Sequence, residues 1–176
     1  MPVLYLAWKD ILLEIRTKDV IVSLTVFALL VVVIFNFALN VTPQVVNFLA
    51  PGVFWVAFAF AGVLAMNRSF VLEKERGNLE ALLLCPVSRD SLYFGKMIGI
   101  FVFMVVIEAV LLPIFAVLFN FSEVSLVLAA IILLATLGFA TVGTLFSSIA
   151  VNTRSREILL PVLFFPVVIP VLIGAV

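Results

Sequence analysis

Residues 73–96 read EKERGNLEALLLCPVSRDSLYFGK, and Lys74, Arg76, Arg89 and Lys96 there are four of only ten basic residues in the chain. Apolar stretches flank this segment, roughly Val53–Leu72 before it, with Arg68 near the end, and Met97–Phe119 after it, broken only by Glu108. Each is long enough to cross ~30 Å of hydrocarbon as a helix, and Arg68 can snorkel to the surface. Moving outward, Val20–Leu39 is uncharged, and Val124–Val151 and Ile158–Val176 make two further apolar segments. Five membrane-spanning helices are therefore expected.

Composition agrees. The chain is 66% hydrophobic and 11% charged, with a mean hydropathy of +1.41, whereas soluble domains are about half apolar and about a quarter charged. The formal charge of zero offers no basic face for nucleic acid. There is no histidine, which removes the commonest general base and excludes Ser-His and His-Glu membrane proteases. Cys85 is the single cysteine, so no intrachain disulfide can form. No secretory signal is evident in the mixed-charge opening.

The basic residues sort by side. Lys9, Arg16 and Lys18 precede the first span, Arg68 to Lys96 surround the second-to-third link, and Arg154 and Arg156 lie in the fourth-to-fifth link. The Asn40–Gly52 loop and the Asn120–Glu123 turn have none. The positive-inside rule makes the N-terminus and both basic links cytoplasmic. Five spans would then leave Val176 outside with no polar anchor, so a further segment is expected.

Within residues 2–18, Leu4, Tyr5, Trp8, Ile11, Leu12 and Ile15 form one apolar stripe, with Lys9, Asp10, Glu14 and Arg16 off it. That pattern predicts a helix lying in the cytoplasmic interface, with Trp8 at headgroup depth. It is either a plain anchor or an element with a further role.

In the link, residues 73–91, Gly77-Asn78 breaks the helix leaving the second span. Asn78 can cap a short helix with Glu80 in its first turn. Leu79, Leu82 and Leu83 give that helix an apolar edge, and Pro86 ends it. Ser88 can cap the next helix, with Asp90 in its first turn. The leucines either pack into headgroups or fill a groove on a cytoplasmic partner.

The run E-R-G-N-L-E-A-L-L-L-C-P-V-S-R at Glu75–Arg89, followed by Gly95-Lys96, resembles the cytoplasmic loop of ABC-2 type exporter permeases, with Asn78 in place of the usual Thr. The opening A-W-K-D-I-L-L-E-I-R-T-K-D at Ala7–Asp19 and the proline-spaced L-P-V-L-F-F-P-V-V-I-P-V-L-I at Leu160–Ile173 narrow the resemblance to the haem exporter protein B family, the permease of cytochrome c maturation. The resemblance covers essentially the whole chain, residues 1–176, as a single all-α polytopic domain. It implies six spans where five are visible, pairing as a homodimer, and a separate cytoplasmic ABC ATPase docking on Glu75, Arg76, Gly77, Asn78, Leu79, Glu80, Leu82, Leu83, Pro86 and Arg89. It further implies a multi-pass protein of the bacterial or archaeal inner membrane, working beside other cytochrome c maturation membrane proteins. Its task would be haem export or release of a haem-loaded chaperone. The competing function is an ABC-2 permease for lipid, glycan or drug.

No phosphate cradle of the G-x-x-x-x-G-K-[ST] type is present: Met97 follows Gly95-Lys96, and Asp90 stands where the first Gly belongs. The chain is thus expected to be no enzyme and to carry no cofactor, with ATP bound by the partner subunit and haem as cargo of the complex. No Cys/His or paired carboxylate cluster supports a metal site.

Glu108 is the one acid inside a span. An ionised carboxylate there costs about 2.5–3.5 kcal/mol on insertion scales, so it should face protein or a wet cavity, or be protonated. It reads either as a substrate-path or gating residue or as an interhelical hydrogen bond. Pro113 should loosen the same helix, and Pro161, Pro166 and Pro170 should kink or break the last one, making these four prolines gate candidates beside Glu108. Thr136, Ala140, Thr144 and Ser148 repeat every four residues, a small-residue face for packing inside the protomer or between subunits.

Overall fold

The computed structural model describes residues 2–38, 43–75, 87–120, 126–151, 153 and 156–175. Among them are six helices and no strand: α1 Pro2–Thr17, α2 Asp19–Ala38, α3 Pro43–Glu75, α4 Arg89–Leu118, α5 Leu126–Ala150 and α6 Arg156–Ala175. Four contain segments apolar and long enough to cross a membrane, Ile21–Ala38, Leu49–Val71, Arg89–Leu118 and Leu126–Ala150. Ile158–Gly174 is apolar but shorter. The fold is that of a polytopic all-α membrane protein, with α1 lying outside the set of spans.

α3 is the hub. About 67% of its membrane segment is buried, against 17% for α2 and 33% for α4 and α5. Sequence explains the difference, because Ala50, Ala57, Ala59, Ala61 and Ala65 are all buried, and short side chains let neighbouring helices approach from several directions. Between the alanines, Trp55 and Phe58 pack edge to face, and Phe58 continues to Phe139 of α5 at 5.2 Å and thence to Phe164 of α6 at 4.6 Å between ring centroids. The outer helices are two-sided. In α2, Leu24, Ala28 and Val32 face inward while Val22, Val26, Leu30 and Ile34 are exposed, a half-turn offset that turns one face to lipid.

α3 begins at Pro43, well before the predicted end of the Asn40–Gly52 loop. Pro43 suits a first helical position, and Pro51 is carried inside the helix because Ala50, Val53 and Phe54 around it are buried against neighbours. α6 likewise runs continuously through Pro161, Pro166 and Pro170 rather than breaking; buried Leu160, Phe164 and Val168, four residues apart, hold its inner face. The small face of α5 also differs from the expected stripe. Thr136, Ala140 and Thr144 are buried, with Gly143 and Ser147, but Ser148 is exposed. Four residues overshoot a helical turn by about 40°, so the strict i+4 stripe drifts off the interface and Ser147 takes its end.

Ser88 caps α4 as predicted, its hydroxyl accepting from the Ser91 N–H at 3.3 Å with Asp90 in the first turn. Asn120, at φ 51°, follows the end of α4, a left-handed position that Asn tolerates. Lys18 is the only residue between α1 and α2 and has φ 56°. A non-glycine residue pays about 1–2 kcal/mol there. Lys18→Gly is therefore expected to raise stability by about 1 kcal/mol and Lys18→Val to lower it by a similar amount, read as shifts in thermal unfolding in detergent.

Candidate functional site

The predicted docking link joins the end of α3 to the start of α4. Arg76, Gly77, Asn78, Leu79, Glu80, Leu82, Leu83 and Pro86 lie outside the described residues. Glu75 closes α3 and Arg89, exposed, opens α4. The two roots of the link are thus in view, and the side chains around them define the site.

On the upstream root, Lys74 sits in the last turn of α3, and its ammonium donates to the Val151 carbonyl at 2.6 Å. That carbonyl lies just past the C-terminus of α5, where unpaired carbonyls and the helix dipole favour a cation. On the downstream root, Lys96 of α4 pairs with Asp10 of α1 at 2.9 Å, with side chains only 12% and 17% exposed. The Lys96 ammonium also lies 5.4 Å from the centroid of the Phe70 ring on α3. A pair this sheltered ranks between exposed and buried ion pairs, worth about 1–3 kcal/mol against loss of one partner. Tyr93 adds a bond from α4 to the Thr141 carbonyl of α5 at 2.9 Å.

Why α1 lies here is legible in its second face. Leu4, Tyr5, Trp8 and Ile15 of the apolar stripe are exposed, while Ala7 is buried. The inward face meets α4 at Gly95, where a Cβ would fall 2.8 Å from Leu6 Cβ and 3.2 Å from the Val3 carbonyl. One turn on, Asp10 lies over Gly99. Beneath this contact is an apolar crevice of about 280 Å³ lined by α1 to α4, including Ile11, Ile21, Ala65, Phe103 and Val106.

Glu108 is set apart from that crevice. It is buried and accepts a hydrogen bond from the Thr136 hydroxyl of α5, which also lies 2.8 Å from the Ile132 carbonyl. The two residues singled out separately in sequence are therefore partners across the α4–α5 contact. Pro113, Pro166 and Pro170 are exposed and Pro161 half-buried, so the structure does not gather them around Glu108. Among the described residues no group of His, Cys, Asp or Glu is placed to hold a metal. Sequence reasoning passed over Asp10, Phe70, Lys74 and Lys96 as partners. The nearest signal was an acid and a base at the ends of neighbouring apolar segments.

Over residues 1–176 the chain matches the family described as CcmB protein. It is similar to the Heme exporter protein B of Rhodobacter capsulatus, 26% identical over 166 residues that cover 94% of this chain and 76% of that protein. It is similar to those of Pseudomonas aeruginosa, 29% identical with coverage of 84% and 67%, and Haemophilus influenzae, 28% identical with coverage of 95% and 76%.

Proposed function

This chain belongs to the CcmB protein family, and from that membership we propose that it is the membrane permease subunit of an ATP-driven haem exporter serving cytochrome c maturation. The match along the whole chain carries the reading. It favours haem over the lipid, glycan or drug alternative, since the ABC-2 loop motif is common to both whereas the relatives are haem exporter proteins.

A permease without a phosphate cradle draws its energy from another polypeptide. In this reading a cytoplasmic ABC ATPase docks on residues 73–91 with Leu79, Leu82 and Leu83 as the apolar handle, and the N-terminus faces the cytoplasm of the bacterial or archaeal inner membrane. Support comes from the gathering of all ten basic residues around α1 and the two links. The permease works as a homodimer beside other cytochrome c maturation proteins. It carries no cofactor of its own, and with no histidine in the chain any haem iron is held by a partner. Glu108 belongs to the substrate path or gate, and Pro113, Pro161, Pro166 and Pro170, which are not gathered around it, act as separate points of give in α4 and α6. The stroke either exports haem or releases a haem-loaded chaperone.

The test is capture of the ATPase. Tagged wild-type permease purified in mild detergent is expected to bring an ATPase with it, and a Leu82→Asp, Leu83→Asp double variant none. Undiminished capture by the variant would sink the docking reading.

A further inference from the structure

The link is braced at both roots, and to different helices. Lys74, at the end of α3, is bonded to the carbonyl that closes α5. Lys96, two turns into α4, is paired with Asp10 of α1 and sits over Phe70 of α3. Phe70 and Lys74 are one turn apart on α3 and so share a face. A displacement of the link cannot tilt α3 and α4 alone. It must also pull on the α5 C-terminus, close to where α6 starts, and push α1 within the interface.

We infer that Lys74 and the Asp10–Lys96 pair are positioning residues that pass the movement of the link to α5 and α1. The inference rests on the proposed docking of an ATPase on that link. Three features argue for transmission rather than plain packing. Each brace ends on the ammonium of a long flexible side chain, so it can follow a moving helix without breaking the apolar contacts beneath, and Asp10 is held in place by Lys9 at 3.3 Å as well. Each crosses between elements distant in sequence, 77 residues apart for Lys74 and Val151. And α1 meets α4 closely at Gly95 and Gly99, where a Cβ would crowd Leu6 and the Val3 carbonyl and touch Asp10, so a shift of α4 is passed to α1 by contact as well as through the ion pair.

The experiment uses the complete complex in native membranes. Three quantities are read for each variant: permease level, ATPase captured with it, and the yield of haem-loaded c-type cytochrome. Lys74→Met and Lys96→Met remove the charge while keeping the stem. Both are expected to leave ATPase capture per permease unchanged and to cut cytochrome yield per permease about tenfold, the scale on which single residues alter coupling between sites. Lys74→Arg is expected to retain the yield. Lys96→Asp alone should lose it, and Lys96→Asp combined with Asp10→Lys should recover it to within about twofold.

Unchanged yield in both methionine variants would overturn the inference. So would a permease level that falls in step with yield, since that is what plain packing predicts. A wild-type permease that captures no ATPase would instead bring down the docking reading, and with it the stroke these braces carry.

Discussion

Gly62→Leu is expected to stop the protein accumulating in the membrane, at a cost of about 3 kcal/mol or more. Even a Cβ at Gly62 would come within 2.8 Å of Phe139 Cζ and press on the Met104 methyl. Phe139 cannot step aside, because Phe58 packs against it at a tilt, Phe164 packs against it edge to face, and all three rings are buried. In lipid the helices gain little from hiding apolar surface, so their association rests on this fit of small against large. Gly143 provides the contrast. A Cβ there meets chiefly the sulfur and methyl of Met66, the far end of a side chain with three rotatable bonds. Gly143→Ala should cost about 1 kcal/mol or less, while Gly62→Ala costs more. Thermal midpoints of the detergent-solubilised variants give the order, and equal midpoints would show that the aromatic run yields more easily than its packing implies.

The second large effect concerns Glu108. Thr136→Val removes its only hydrogen-bond partner among the described residues and is expected to cost about 1–3 kcal/mol, the penalty for stranding a buried polar group. Changing both, Glu108→Leu with Thr136→Val, leaves nothing stranded and should recover most of that stability. Cytochrome yield then separates the two roles of Glu108. A double variant that is stable and active assigns Glu108 to helix packing, whereas one that is stable and inactive assigns it to the haem path. Glu108→Gln, which keeps hydrogen-bonding capacity, sharpens the result: unchanged haem delivery counts against a path at this position.

Features carried by local pattern were legible before the structure. Four of the five expected spans follow from hydropathy, the fifth, Ile158–Gly174, being a shorter apolar helix; the outward stripe of α1 follows from its 3.6-residue period, and the Ser88 cap from a hydroxyl placed before an acid. What escaped depends on neighbours. Pro51-Gly52 reads as a breaker in isolation, yet α3 runs through it because buried side chains on both sides hold the helix. The strict four-residue spacing put Ser148 in the small face, but helical drift hands the place to Ser147. Docking of α1 on Gly95 has no signature in hydropathy, since a glycine marks the contact by what it lacks. The Lys74 brace was out of reach for another reason: its acceptor is a backbone carbonyl, a group every residue possesses. Glu108 and Thr136 were both singled out, but pairing positions 28 residues apart needed the α4–α5 crossing.

Lys18 has a mechanical meaning. α1, 16 residues and so about 24 Å long, meets α2 through that single left-handed residue, and the Lys18 carbonyl already accepts the Val22 N–H at 2.9 Å in the first turn of α2. One residue so committed leaves no slack. The two helices are the arms of a bell crank, α2 being the arm that carries a segment long and apolar enough to cross a membrane. Tyr5 and Trp8 stand exposed on the first arm, and a swing of that arm turns the second at the elbow. A turn at the elbow is carried along α2 to its other end, where the Asn36 side-chain amide donates to the Leu118 carbonyl of α4 at 2.8 Å.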